Sequence, residues 1–146
     1  MRSSDIRIRQ HLRVRAGFTL VEVLIVVAII AILTAVAWPS YTRYVMRGKR
    51  ADAQTLMMFV SSREEQYLLD ARAYTAALDS TGLNLVRQGW TCSATTCSNA
   101  NYDITVTVTA GPPPAYTINA TAKSTQVSDG NLSLNNLGAK TPANLW

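Results

Sequence analysis

The chain has 146 residues, of which 48% are hydrophobic and 16% charged, and its formal net charge is +5. This length predicts one compact domain with an appendage. Five of the 14 Lys and Arg residues and one of the nine acids precede Phe18, which leaves nine cations and eight anions in the remainder. The basic surplus therefore belongs to a short N-terminal stretch. General binding of a phosphate backbone needs clustered Lys and Arg in the folded part, and the sequence does not support it.

The first predicted element is an apolar helix over residues 18–38, FTLVEVLIVVAIIAILTAVAW. At 1.5 Å per residue this block spans about 31 Å, close to the hydrocarbon thickness of a bilayer. The basic stretch before it is typical of the cytoplasmic side of a membrane segment. An uncleaved signal anchor and an ordinary secretory signal peptide are both consistent with this pattern. The second fits poorly, because the block is longer than a typical signal core and no small-residue cleavage site clearly ends it.

Glu22 interrupts this apolar block near its start. A carboxylate inside a membrane segment costs about 2.5–3.5 kcal/mol on insertion scales, so it is normally absent unless it has a partner. The alternative is that Glu22 lies near the interface and stays hydrated.

The segment around this glutamate carries a family resemblance. Residues 15–22, RAGFTLVE, resemble the cleavage and methylation motif of type IV pilins and pseudopilins. In that family a dedicated prepilin peptidase of the membrane cuts after the glycine of a short basic leader and methylates the new N-terminus. The resemblance implies that residues 1–17 are a leader, that cleavage falls between Gly17 and Phe18, and that Phe18 is N-methylated.

The resemblance also implies a partner for Glu22. Cleavage creates a cationic amine on Phe18, and in the family the acid is thought to meet the amine of a neighbouring subunit during docking. Two charges that are each costly in apolar surroundings become tolerable when they are paired. We therefore expect Glu22 to act as an assembly charge.

The helix is predicted to continue beyond the apolar block, from Phe18 to about Leu69. Pro39 removes one backbone donor and clashes with the preceding turn, which predicts a kink. Beyond it, apolar residues recur at the spacings of one helix face; they are Ala53, Leu56, Val60, Tyr67 and Ala71. This second half of the helix is predicted to cover a sheet.

Three strands are predicted after an irregular region at residues 72–101. Residues 102–109, 116–122 and 131–136 alternate apolar and polar side chains, and turn sequences separate them at residues 110–114 and 128–130. One long helix followed by an antiparallel meander of three to four strands is an α+β fold.

Several downstream segments resemble the PilE-like minor pilins of Gram-negative bacteria. They are REEQY at residues 63–67, AYT at residues 73–75, the strand pair, and LSLNNLGAKT at residues 132–141 before the terminal Trp146. The resemblance implies the type IV pilin fold. It also implies a leader at residues 1–17, a transmembrane and assembly half of the helix at 18–38, and a periplasmic or extracellular globular domain at 39–146.

Cys92 and Cys97 are the two cysteines of the chain. A segment exported beyond a membrane anchor meets an oxidising compartment, where a disulfide is the default. Relatives commonly carry a C-terminal cysteine pair that is absent here, so packing of Leu145 and Trp146 alone is expected to hold the C-terminal tail. A metal site would need further ligands, and the single histidine, His11, lies in the leader. We expect no metal and no cofactor.

The sequence favours a structural role over an enzymatic one, because the part after the leader has no histidine and no recognised catalytic motif. The leading interpretation is a minor pilin of a type IV pilus. A major pilin, a type II secretion pseudopilin, and a pilin that binds DNA or a surface ligand for uptake or adhesion are the alternatives. For the last, Arg87 and Trp90 beside the cysteine loop could supply a phosphate contact and a stacking surface, although core packing of Trp90 is the preferred interpretation.

The expected partners follow from the same resemblance. They are prepilin peptidase, other pilin subunits, the pilus assembly platform and the inner membrane. We expect a single-pass inner-membrane protein before assembly and an extracellular fibre afterwards.

Overall fold

The computed structural model describes residues 17–146, and the leader predicted at residues 1–17 lies outside this range except for Gly17. The chain divides into a first unit that ends at Ser40 and a second unit that begins at Tyr41. Helix α1 (Leu20–Ala71) contributes residues to both. The predicted helix, from Phe18 to about Leu69, is confirmed to within two residues at each end.

A side-chain cap begins helix α1. The Thr19 hydroxyl oxygen accepts a hydrogen bond from the backbone N–H of Glu22 at 3.2 Å, which satisfies one of the free donors of the first turn. Thr and Glu at this spacing form the sequence pattern of a capping box. The Glu22 carboxylate also lies in the first turn, where the helix dipole favours negative charge.

The first unit is apolar and exposed. Every residue from Gly17 to Ser40 is exposed, and an 18-residue window of α1 reaches a mean hydropathy of 3.0. The hydroxyl of Thr34 donates to the Ile30 carbonyl at 2.8 Å, so its polarity is satisfied within the helix. Pro39 lies inside α1, and the kink expected there stays a prediction.

The second unit contains a six-stranded antiparallel sheet in which each strand pairs with its neighbour in sequence. The strands are β1 (Thr91–Cys92), β2 (Cys97–Ser98), β3 (Tyr102–Thr109), β4 (Ala115–Ala122), β5 (Leu132–Asn135) and β6 (Lys140–Thr141). A 3-10 turn, Ser124–Ser128, joins β4 to β5, and another, Ala143–Leu145, follows β6.

The predicted count of three to four strands is too low. The long strands β3, β4 and β5 lie where alternation predicted them, whereas β1, β2 and β6 contain two residues each. Two residues cannot show a period of two, so these strands carry no alternation signal. Pairing with an adjacent strand defines them instead, as in the register of Cys97 with Ile104 and of Leu134 with Lys140.

The core of the second unit lies between α1 and the inner face of this sheet. Ala53, Leu56 and Val60 are fully buried, which confirms that part of the predicted helix stripe. Tyr67 is half-buried and Ala71 is exposed, so the buried face ends before the helix does. From the sheet, alternate residues enter the same core; they include Tyr102, Ile104, Val106, Tyr116, Ile118, Ala120, Leu132 and Leu134.

The loop between α1 and β1 also contributes to the core. Leu78, Leu83 and Leu85 are buried although the region has no regular periodicity. The Leu78 N–H donates to the Ala94 carbonyl, and the Leu85 N–H donates to the Leu78 carbonyl, both at 2.9 Å. These bonds satisfy backbone groups that burial would otherwise leave unpaired.

Candidate assembly and interaction sites

The predicted processing residues, Gly17 and Phe18, lie at the exposed start of the part of the chain that the structure describes. Gly17 and Phe18 precede the helix, and Phe18 is 80% exposed. A peptide bond outside regular structure is open to a peptidase, since no helical hydrogen bonds must break first. Cleavage between Gly17 and Phe18 and methylation of Phe18 stay predictions.

Glu22 is exposed on the first turn of α1. No Lys or Arg occurs between Gly17 and Tyr41, so that segment offers the carboxylate no cationic side chain. The assembly role of Glu22 stays a prediction.

Cys92 and Cys97 form a disulfide. They face each other across the β1–β2 hairpin, whose turn is closed by the Ser93 N–H donating to the Thr96 carbonyl at 2.9 Å. Because Cys97 is fully buried and Cys92 is packed against the core, the bridge attaches the hairpin to the second unit.

The structure places Trp90 in the core, with 8% of its surface exposed. Its indole N–H donates to Asp52 Oδ2 at 3.0 Å, and an Arg87 guanidinium nitrogen lies 3.6 Å from Asp52 Oδ1. Arg87 and Trp90 therefore meet at one carboxylate of α1. A ring buried in this way has no free face for a stacked base, so the geometry favours the core interpretation of Trp90.

The C-terminal tail has more support than packing alone, which corrects the sequence-based expectation. Leu145 and Trp146 do pack against the core. In addition, the Gln54 side-chain amide donates to the Leu145 carbonyl at 2.7 Å, and β6 pairs with β5. Lys140 Nζ lies 4.8 Å from the centre of the Trp146 ring, within the range of a cation–π interaction.

A buried polar cluster ties the Ser124–Ser128 turn to α1. The fully buried Gln126 side-chain amide donates to the Met46 carbonyl at 3.0 Å and to Asp129 Oδ2 at 2.8 Å. Arg50 pairs with the other carboxylate oxygen of Asp129 at 2.8 Å. Sequence reasoning missed this cluster, because glutamine in a polar turn resembles a surface residue.

Glu64 is a second buried polar residue that sequence reasoning missed. It is fully buried on the core face of α1, and one carboxylate oxygen accepts the Thr75 N–H at 3.1 Å while the other has no partner within residues 17–146. Burial raises the pKa of Glu64 from 4.5 to about 7; the Thr75 hydrogen bond opposes this rise and the neighbouring Glu65 charge adds to it. Glu64 lies four residues after Val60, on the same helix face, and this spacing could have indicated its burial from the sequence.

Within residues 17–146 no three His, Cys, Asp or Glu side chains lie together as metal ligands would. The two cysteines are consumed by the disulfide. The described chain therefore combines two features. One is an exposed apolar helical segment with a single acid, Glu22, and the other is a small disulfide-bonded sheet domain. That combination is typical of a membrane-anchored subunit with a small folded domain.

Comparison with known proteins places the chain within this class. Residues 12–38 match the family model of the prokaryotic N-terminal methylation motif, and residues 39–133 match the model described as type IV minor pilin ComP, DNA uptake sequence receptor. The chain belongs to the type IV pilin family. As such, it is anchored in the membrane through its apolar helix before assembly and is part of an extracellular fibre afterwards.

Individual relatives agree with this family. The chain is 35% identical to the fimbrial protein EcpC of Eikenella corrodens over 81% of this chain and 69% of that protein. It is 38% identical to PilA4, the type IV wide pilus major component of Thermus thermophilus, over 59% of this chain and 68% of that protein. A type IV pilin structure from Shewanella oneidensis has the same fold, with a TM-score of 0.52 at 23% identity, over 69% of this chain and 97% of that one.

Proposed function

We propose that this chain is a minor subunit of a type IV pilus, contributing to pilus biogenesis after processing by prepilin peptidase. The observation that carries the proposal is the match of residues 39–133 to the minor-pilin family model. The major pilin PilA4 among its relatives keeps a major-pilin role as the alternative, together with a type II secretion pseudopilin.

Stoichiometry separates these roles. Fibres sheared from the cell surface would be quantified by mass spectrometry, and a minor pilin is expected at a small fraction of the dominant subunit. Deletion of the gene is expected to lower the number of surface fibres counted by electron microscopy. Purified fibres composed mainly of this chain would contradict the minor-pilin role, and fibre numbers unchanged by deletion would contradict a role in biogenesis.

The proposed processing has a direct readout. The N-terminal peptide of the assembled protein is expected to begin at an N-methylated Phe18, because residues 12–38 match the methylation-motif model. Replacing Gly17 with a bulky residue should leave the precursor uncut, whereas Ala16→Ser, one position earlier, should be cut normally. An intact leader in fibres would contradict the proposed cleavage.

Glu22 is proposed to pair with the Phe18 amine of an adjacent subunit during assembly. Its carboxylate is the one charged side chain between Gly17 and Ser40, and an unpaired charge among packed apolar helices is costly. Glu22→Val is expected to reduce incorporation at least tenfold at equal membrane levels. Thr34→Val, which removes a polar group from the apolar stretch without changing its charge, is the matched control. Normal incorporation of the Glu22→Val protein would refute the pairing.

A DNA-receptor role is the second candidate, and the description of the matching family model favours it. In the second unit Arg87 is part-exposed beside the disulfide hairpin. Its guanidinium forms an ion pair with Asp52 at 3.6 Å, and its exposed nitrogens could contact a phosphate. Trp90 is better viewed as a support for this loop than as a stacking surface, since its ring is buried.

DNA binding by the purified protein would be measured against salt concentration. Arg87→Gln is expected to weaken binding severalfold. It should also reduce the slope of log affinity against log salt concentration by the amount that corresponds to about one phosphate contact. Arg72→Gln, at an exposed arginine beyond the end of α1, is the control for net charge. Equal losses in the two variants would assign the binding to overall charge and would overturn a local contact at Arg87.

A further inference from the structure

The outer face of the sheet carries two rows of hydroxyl and amide side chains in register. Strand pairing aligns Thr105, Asn119, Ser133 and Thr141 in one row across β3, β4, β5 and β6. A second row contains Thr107, Thr117 and Asn135. Since strands lie about 4.8 Å apart, the longer row spans about 14 Å.

This face has a concavity at its end near β6. The cavity measures about 370 Å³. Its polar lining comes from Asn119, Thr121, Asn131, Ser133 and Thr141, and Ala120, Leu132 and Pro142 complete the lining. Three segments of chain, residues 119–121, 131–133 and 141–142, therefore converge on one space.

The polar groups of the concavity are available to a ligand. The side chains of Asn119, Thr121 and Ser133 make no hydrogen bond within the described part of the chain, residues 17–146, and all three are at least partly exposed. Asn131 uses only its carbonyl oxygen internally, accepting the Ala122 N–H at 2.9 Å. Its amide donors, together with the other hydroxyl and amide groups, can both donate and accept.

The charge of this face restricts the ligand class. None of the cavity-lining residues is ionisable. Asp103, which lies opposite Thr121 in the sheet, is paired with Lys123 at 2.8 Å. A phosphate backbone would find no cation here. A protein partner would find no aromatic or large aliphatic anchor among the polar rows. The hydroxyl groups of an uncharged sugar donate and accept hydrogen bonds, as the hydroxyl and amide side chains of this cavity do.

We propose that this concavity binds a neutral oligosaccharide, with Asn119, Thr121 and Ser133 as its hydrogen-bonding residues. The row from Thr105 to Thr141 then extends the contact to adjacent sugar rings. Because the surface is presented by the second unit alone, the proposal does not depend on a minor-pilin or DNA-receptor role.

The test uses the full-length protein in a zwitterionic detergent without sugar groups, since a glycoside detergent would compete. Binding would be measured on an array of neutral oligosaccharides (gluco-, xylo-, manno- and N-acetylglucosamine-based), with sulfated glycans and random-sequence double-stranded DNA as charged probes. Neutral glycans are expected to bind, with weak dependence on salt. Asn119→Ala and Ser133→Ala should each weaken that binding at least fivefold.

Thr109→Ala is the matched control, because Thr109 is an exposed residue at the far end of β3 from the concavity. It should leave glycan binding unchanged, and the thermal unfolding of all three variants should match that of the unmodified protein. Absence of binding to every neutral glycan would overturn the proposal. Binding that survives both concavity substitutions, or that Thr109→Ala reduces equally, would do the same.

Discussion

Apolar residues are exposed in the described part of the first unit and buried in the core of the second unit. From Leu20 to Ser40, every residue is exposed, including Leu24, Ile25 and Ile32. In the second unit, Leu56, Ile104 and Ile118 are fully buried. An exposed apolar surface of this extent is costly in water, so the first unit must be covered by lipid or by other subunits, whereas the second covers its own core.

The difference teaches where stability and assembly are encoded. The second unit has a helix face, an inner sheet face and a disulfide, so its folding is expected to depend on its own side chains. Residues 17–40, the described part of the first unit, are all exposed and form no core. Substitutions there should change insertion and assembly and leave folding of the second unit unaffected. Substitutions made separately in each unit test this separation.

Adjacent methionines on α1 offer the sharpest comparison. Met57 is fully buried, whereas Met58 is 53% exposed. Met57→Ala should lower the free energy of unfolding of the second unit by about 3 kcal/mol, because it leaves a cavity in the core. Met58→Ala should change it by less than about 0.5 kcal/mol. Chemical denaturation in a zwitterionic detergent, followed by tryptophan fluorescence, measures both.

Ile30→Ala in the first unit extends the same experiment. It removes a comparable apolar side chain that is 56% exposed, and the unfolding of the second unit should be unchanged. A loss above about 1 kcal/mol would mean that the two units do not fold independently.

Glu64 makes the stability of the second unit depend on pH. Its pKa is about 7 in the folded chain and 4.5 for an ordinary glutamate, so the native state binds the proton more tightly than the unfolded state. The stability that protonated Glu64 contributes is fully present below about pH 4.5. It is lost as the pH rises to about 7, and the free energy of unfolding then falls by on the order of 2 kcal/mol.

Glu64→Gln should remove this pH-dependent fall, because an amide can accept the Thr75 N–H without titrating. Asp70→Asn is the matched control, since Asp70 is an exposed acid on the same helix. Stability measured from pH 4.5 to 8 by denaturation should show the slope in the unmodified protein and in Asp70→Asn. A slope that persists in Glu64→Gln would contradict the assignment.

The disulfide is expected to contribute about 2 kcal/mol, because it closes a short loop in the unfolded chain. Replacing Cys92 and Cys97 together with serine should lower the unfolding free energy by about that amount and leave membrane insertion unchanged. Reduction of the unmodified protein should reproduce the effect, and an unchanged midpoint under reduction would contradict it.

The smallest expected effect concerns the C-terminal tail. Gln54→Ala removes the donor to the Leu145 carbonyl and should cost about 1 kcal/mol. Thr55→Ala, at the adjacent exposed position, should cost less, since that hydroxyl bonds only to the Ala51 carbonyl of its own helix. Proteolysis of the tail should accelerate in Gln54→Ala and stay unchanged in Thr55→Ala.

The sequence by itself determined the elements with a strong local signal. Apolar composition predicted the exposed N-terminal block, a period of three to four predicted the stripe through Ala53, Leu56 and Val60, and alternation predicted β3 and β4. The cleavage motif and the family followed from residues 15–22. Each of these signals depends on neighbours along the chain, so it can be read without the fold.

Tertiary structure alone decided the remaining features. The strands β1, β2 and β6 exist because an adjacent strand pairs with them, and Glu64 and Gln126 are buried because distant segments cover them. The carboxylate shared by Arg87 and Trp90, the bond from Gln54 to the tail, and the polar concavity on the sheet likewise join residues far apart in sequence. Contacts of this kind depend on which surfaces meet after folding, and no local pattern of residues specifies that.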